Sequence, residues 1–360
     1  MDAHERHLAV LHNTEPDKVN ILFAEGLRAA PPGAWLNRAI ERGVGFSHII
    51  PPYLPMFFYD SIINPGLEDV VFSCTYYFDN HVQKIRYQYN TPVGSVFSIV
   101  GRNPGVDLLT NSPEIGFVKQ PADWRVVNYI FRRMTKELHP NYEAIRLDQE
   151  MLGGKGTTIA IVDKTPFQRG WIEMASLERT VMDFTDQPEE FQEYLEVQGQ
   201  FHQKAAEITA GCPAQEILLI DNITNIISPR LYRQYCLPYY KLYTDAFAGT
   251  DKVLAVHHDG RFGHIQKEMA NATFGVIDSF TVPPTGDISL ADARRLFPGK
   301  VLFMNLPPHL AYAEDADLHR GYEELMEEWG SKILTIEHVE DLPPDRLEKH
   351  IQAAMDVCGY

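Results

Sequence analysis

From about Thr157 onward, short apolar runs rich in β-branched residues alternate with amphipathic stretches, and this alternation constrains the fold more than any other feature. The runs are TTIAIVD (157–163), EILLIDN (216–222), KVLAVHHDG (252–260), TFGVIDSF (273–280), KVLFMNLPP (300–308) and KILTIEHVED (332–341). Helical periodicity fills the gaps, over about 188–210, 229–247, 265–270, 289–296, 318–329 and 344–357. Each run is almost continuously hydrophobic, as a strand buried on both faces of a parallel sheet must be. Six such units make up most of an eightfold barrel, so the expected fold is α/β, a single (β/α)8 TIM barrel. Ser228 before Pro229, and Asp287 with Ser289, mark helix starts.

The first 150 residues are less regular. PPGAWLNRAIERGVGF holds a helix, while DVVFSCTYYFDNHVQKIRYQYNTPVGSVFSIV reads as antiparallel strands with Thr91, Pro92, Val93 and Gly94 at a turn. No Gly/Ser/Pro-rich linker separates the halves. Residues 1–360 are therefore read as one barrel domain, with 1–150 its N-terminal elaboration and 151–360 its regular units. Tyr76, Tyr77 and Phe78 suit sheet packing first and the wall of an apolar pocket second.

Charge removes two partner classes. Lys and Arg total 32 against 49 Asp and Glu, and the resulting −17 repels nucleic acid and anionic membrane. Cys74, Cys212, Cys236 and Cys358 lie far apart with no CxxC pair, which suits reduced thiols that are buried or incidental. The opening MDAHERHLAVLHNTEPDKVNI has neither a signal-peptide pattern nor a membrane-length apolar run, so a cytoplasmic protein is expected. Whether it forms a homo-oligomer is left open.

Barrel enzymes build their sites at the carboxyl ends of the strands, so the polar residues that close each apolar run matter most. Here they are Asp221 and Asn222; His257, His258 and Asp259; Asp278; Asn305; and Glu337, His338, Glu340 and Asp341. Helix capping accounts for some of them, for instance Asp341 ahead of Pro343 and Pro344. So many acids and imidazoles at one mouth need hydrogen bonds, a substrate or a metal to pair with them. His257 and Asp259 lie two apart on a strand end, so both leave the same face and can reach one cation, with Gly260 letting the chain turn away. Glu340 is the expected third ligand, with Glu337 its rival. One imidazole, two carboxylates and an open position make the pattern of a catalytic zinc. His258 points to the opposite face and is read as packing.

The segments DNITNIISPRLYRQYCLPYYKLYTDAF, VLAVHHDG and GVIDSFTVPPTGDISLADARRLFPGKVLFMNLPP, with the opening ERHLAVLHNTEPDKVNI and the TPVGSV turn, resemble the uroporphyrinogen decarboxylase superfamily. Within it the chain looks like the cobalamin-dependent methyltransferase branch. The decarboxylases carry an Arg-rich N-terminal motif that grips tetrapyrrole propionates, and nothing near this N-terminus matches it. The methyltransferases carry a zinc set of His-x-Cys plus a second Cys before the last helix. His257 matches that His; Asp259 stands at the first Cys, and counting back from PPDRLEKHI puts Glu340 at the second.

Hard oxygen in place of soft sulfur suits a Lewis acid acting on an oxygen leaving group. The resemblance thus implies an O-demethylase methyltransferase. Zinc held by His257, Asp259 and Glu340 would activate a methoxylated substrate, an aromatic one included. The methyl acceptor would be the cobalt(I) of a cobalamin (corrinoid) on a partner protein, because the chain lacks a DxHxxG cobalamin motif. Asp221, Asn222, Asp278 and Asn305 would orient substrate or support the ligands.

Two alternatives stay open: a metal-independent decarboxylase or lyase using Asp221 and His257 as acid and base, and a binding protein on a catalytically dead barrel. GGKGTT (153–158) is similar to the end of a phosphate loop but precedes its strand, and reads as a turn. GxSxG, HExxH and GxGxxG are absent.

Overall fold

The computed structural model describes residues 1–24, 34–58, 61–63, 66–102, 113–338, 342 and 344–360. In chain order the first strands are β1 (Asn20–Ala24), β2 (Gly45–Ile50), β3 (Tyr53–Leu54), β4 (Met56–Phe58), β5 (Ser61–Ile63), β6 (Val71–Asp79), β7 (Val82–Thr91), β8 (Gly94–Arg102), β9 (Pro113–Ile115) and β10 (His139–Pro140). There follow β11 (Gly156–Val162), β12 (Glu216–Ile223), β13 (Val253–His258), β14 (Val276–Phe280), β15 (Val301–Asn305) and β16 (Thr335–His338). The chain divides into two compact units, residues 1–50, 143–161 and 213–360 forming one, and 51–142 with 162–212 the other.

The first unit carries the expected TIM barrel. Its strands close in the order β1-β16-β15-β14-β13-β12-β11-β2, each pairing parallel with its neighbours, and β1 meets β2 to complete the circle. All six apolar runs are barrel strands. The two missing strands, NILFA in β1 and GFSHII in β2, come from the stretch that looked irregular. Closure joins distant parts of the chain: Asn20 lies beside Thr335, and its Nδ2 donates to Thr335 Oγ1 at 3.1 Å. At the amino-terminal end of β12 the buried Glu216 faces the buried imidazole of His7, from the helix Ala3–Leu11, at 2.8 Å. Burial pushes the Glu216 carboxyl above its ordinary range, and His7 opposes that shift only in part.

Local signals read from the sequence hold at most helix ends. Ser228 Oγ accepts from the Leu231 amide at 3.3 Å and Ser289 Oγ from the Asp292 amide at 3.2 Å, each satisfying an otherwise orphaned donor. Asp287 instead accepts from the amides of Phe262 and Gly263, both at 3.1 Å, tying down the turn after β13. The helix expected over 229–247 is two, Pro229–Tyr235 and Leu237–Ala246, because Pro238 has no N–H to continue the first ladder. GGKGTT forms a short 3-10 turn that leads into β11, as read.

The second unit holds an antiparallel sheet in the order β6-β7-β8-β9, with Thr91 and Gly94 paired across the expected turn. Its helices Trp124–Glu137 and Glu189–Ala210 meet through aromatic rings, Trp124 on Tyr194 with centroids 4.3 Å apart and Phe131 on Phe201 at 5.6 Å. Tyr76 and Phe78 are exposed and Tyr77 is half-buried. The cysteines are all free thiols; Cys74 is exposed, Cys212 and Cys236 are buried, and Cys358 is intermediate.

A buried charge cluster follows β11 and was not foreseen. Arg169 has no exposed surface; one guanidinium nitrogen donates to Asp163, another lies 3.7 Å from Glu173, and the Phe131 ring sits 4.7 Å away. Tyr53 Oη donates to the second Asp163 oxygen at 2.7 Å. Burial disfavours the cation, yet the two carboxylates outweigh that cost and hold Arg169 charged. His202, which donates to the Lys164 carbonyl at 3.0 Å, is pushed down to about 3 by burial and by the nearby guanidinium, and stays neutral.

Removing one member of such a cluster strands the others in a low-dielectric interior. Arg169→Met is expected to lower unfolding free energy by about 3–5 kcal/mol, and adding Asp163→Asn with Glu173→Gln to recover at least half of it. Urea unfolding of the three proteins checks this; a loss under about 1 kcal/mol for Arg169→Met, the range of an exposed pair, would contradict it.

Candidate functional site

The site is built where β13, β14, β15 and β16 end. β13 runs apolar through Val256 and then delivers His257 and His258 to opposite faces, as strand alternation requires. His257 lies beside Asp278 in the β13–β14 register, and its Nδ1 donates to Asp278 Oδ2 at 2.6 Å. Its Nε2 faces Asp259 Oδ2 at 3.6 Å. Gly260 follows with φ +68°, a left-handed turn open to glycine that takes the chain away from the site. His257 Nε2 and Asp259 thus lie on one side of the strand end, and Asp278 is the group that holds the imidazole from behind.

Electrostatics separates the two adjacent histidines. Burial alone would lower the pKa of His257, but the carboxylates of Asp259 and Asp278 facing its two ring nitrogens reverse this and raise it to about 10. Asp259 is lowered in turn, since His257 outweighs the effect of its own burial. His258 is fully buried among the rings of Tyr232, Phe262 and Phe274, hydrogen-bonded to Tyr232 Oη at 3.0 Å, and burial lowers it to about 3. It is a packing residue, as read.

The other expected residues take distinct positions. Asp221 is fully buried and accepts from Tyr240 Oη at 2.7 Å. Asn222 sits at φ +48° where the β12–β13 register shifts, half-buried. Asn305 Oδ1 accepts from Ser279 Oγ at 3.0 Å. Glu337 lies beside Asn305 across the β15–β16 pair, and its Oε1 accepts from the Ser279 amide at 2.9 Å. Burial, reinforced by Asp278 and Glu216, pushes Glu337 well above the ordinary carboxylate range. Glu340 and Asp341 lie outside the described residues, as does the side chain of His338.

Ser279 is the residue that sequence reasoning missed. It holds φ +62° at a register shift between β14 and β15, a conformation that costs a serine energy and that the surrounding strands must enforce. That bulge turns its amide to Glu337 and its hydroxyl to Asn305, while Thr281 Oγ1 accepts from the Gly260 amide at 3.3 Å. The one sequence signal was the polar pair Asp278-Ser279 inside an otherwise apolar run.

The donor chemistry fits a divalent cation in part. Asp278 holds Nδ1 of His257 and leaves Nε2 toward Asp259, and Asp259 Oδ1 is buried with no hydrogen-bond partner among the described residues. Among the described residues no group of three or more His, Cys, Asp or Glu side chains is placed to hold a metal ion. Two donors thus converge with one oxygen unspent, and the third expected donor, Glu340, falls outside the described stretch. Glu337 is committed to Ser279 and does not complete the set.

No helix of the described residues is long and apolar enough to cross a membrane. The chain is similar in fold to a methyltransferase from Methanosarcina mazei, at 13% identity over 99% of each chain and a TM-score of 0.55. No curated protein matches it. Residues 109–359 match the family described as uroporphyrinogen decarboxylase (URO-D), which takes in β11 to β16 and every residue of the candidate site. On that match, which spans well over half of its sequence, the chain belongs to the uroporphyrinogen decarboxylase family.

Proposed function

We propose that this protein is a zinc-dependent methyltransferase that moves a methyl group from a methoxylated substrate to the cobalt(I) corrinoid of a partner protein. The observation that carries the reading is the His257 arrangement: one ring nitrogen donates to Asp278 and the other faces the half-spent carboxylate of Asp259. A carboxylate behind a ligating imidazole is the usual support of a metal-binding histidine. His257, Asp259 and Glu340 would hold the ion, which when bound would supply a hard Lewis acid suited to an ether or hydroxyl oxygen.

The protein's own groups have separable tasks. Asp278 orients His257 through Nδ1, and a cation bound at Nε2 would take the place of the proton that the two carboxylates favour there. Asn305 and Ser279, tied at 3.0 Å, form a polar rim that can orient the oxygen end of a donor. Glu337, whose carboxyl is pushed up by burial, lies beside Asn305, where a less readily ionised acid would repel a leaving oxygen less than an ordinary carboxylate. The fold similarity to a methyltransferase from Methanosarcina mazei supports the reaction class, and Asp221 and Asn222, near the end of β12, would orient substrate.

Two measurements test the reading. Elemental analysis is expected to find about one zinc per wild-type chain and little in His257→Ala, Asp259→Ala or Glu340→Ala; a wild type that neither contains nor takes up zinc overturns it. Turnover of a donor after thorough chelation would instead favour the metal-independent lyase.

Asp278→Asn separates support from ligation. It is expected to weaken zinc about 10- to 100-fold in competition with a chelator, with circular dichroism unchanged. An affinity equal to wild type would remove Asp278 from the site.

A further inference from the structure

At the amino-terminal end of the barrel, opposite the candidate site, a cleft of about 370 Å³ lies where β15 and β16 begin and where the helices Leu290–Leu296 and Asp315–Trp329 end. That volume is at the lower end of the range of small-molecule sites. Phe297, Leu302 and Ile333 supply apolar wall. The polar wall is one-sided: Asn13, Arg294, Lys300, Trp329 and Ser331 each bring at least one N–H or O–H, and none of the described lining residues is acidic. In a chain with 49 Asp and Glu against 32 Lys and Arg, two cations and no carboxylate around one cleft favour an anion there.

Two of these donors are unengaged. Trp329 is 6% exposed, and its Nε1–H meets no acceptor among the described residues. A buried indole N–H ordinarily finds one, because leaving it unpaired forfeits its hydration without return. The Arg294 guanidinium lies 5.1 Å from the centre of the Trp329 ring and makes no hydrogen bond or ion pair among the described residues. Gly330, at φ +61°, leaves room for it, since a Cβ there would meet Arg294 Nη2 at 3.2 Å. Lys300 donates to the carbonyls of Ala272 at 2.9 Å and Phe274 at 2.7 Å; burial lowers it to about 8, so it stays charged at neutral pH.

Both helices bring their carboxyl ends to this corner, and those negative poles offset part of the cationic charge. A compact dianion such as phosphate therefore gains little. A monoanion with an apolar body can use the guanidinium, the indole N–H and the apolar wall together. We infer that this cleft binds a small organic carboxylate with an apolar body, with Arg294 and Trp329 Nε1 as its principal donors. The site is independent of the proposed methyl transfer, which lies at the other end of the strands.

The probe is benzoate, and the reporter is the indole N–H itself. The chain has four tryptophans, so the isotope-labelled full-length protein gives four indole N–H resonances, and the one lost in Trp329→Phe belongs to Trp329. Benzoate at millimolar concentration, the strength expected of so small a ligand, should shift that resonance saturably. Benzamide, which lacks the charge, and inorganic phosphate, which lacks the apolar body, should leave it in place at the same concentration. Arg294→Gln should weaken benzoate about tenfold or more with the circular dichroism spectrum unchanged, because that side chain is exposed and unpaired among the described residues. A Trp329 resonance that benzoate does not move overturns the inference, as does movement confined to the other tryptophans. So does a shift that benzamide or phosphate produces equally well, or an affinity that Arg294→Gln leaves at the wild-type value.

Discussion

A parallel sheet closed on itself has no edge and no wet face, and this constraint governs the rest of the first unit. β11, β14 and β15 are buried at every residue, so a polar side chain there must find a partner inside. The chain meets that demand by placing its polar groups at strand ends and linking them. His257 binds Asp278, Glu337 binds the amide of Ser279, Ser279 binds Asn305, and Asp221 binds Tyr240. At the opposite end, His7 closes on Glu216. The mouth is thus a consequence of barrel closure as much as of chemistry, because these residues have no other place where their polarity is tolerable.

His257 and His258 show how steeply that environment varies. They are adjacent, both buried, and 0–6% exposed, yet one is raised to about 10 and the other lowered to about 3. Strand alternation sends the first toward two carboxylates and the second into a shell of aromatic rings. Residue type settles nothing here; the side of the strand settles everything. The HxD spacing is informative for the same reason, since it keeps His257 and Asp259 on one side where residues one apart would be divided.

Much of this architecture was legible from periodicity. Six barrel strands are apolar runs framed by helical patterns, and their polar last residues point to the mouth without knowledge of the fold. β1 and β2 were not legible, because NILFA and GFSHII are brief and are not followed by the same rhythm of units. His257, Asp259 and Asp278 could be found because each closes or follows such a run. Ser279 could not, because its left-handed backbone arises from a register shift that only neighbouring strands impose. The Arg169 cluster was hidden for another reason: Asp163, Arg169 and Glu173 read in sequence as ordinary surface charges, and only the packing of Tyr53 and Phe131 around them makes them buried.

The two units resolve the same physical problem in opposite ways. Backbone amides and carbonyls along a strand need partners, and the barrel supplies all of them by returning β1 to β16 and β2. An open antiparallel sheet has two ends to protect. At one, β9 is a three-residue strand, too short to template another chain. At the other, β6 is nine residues long, regular, uncharged until its last position, and carries aromatic rings into solvent.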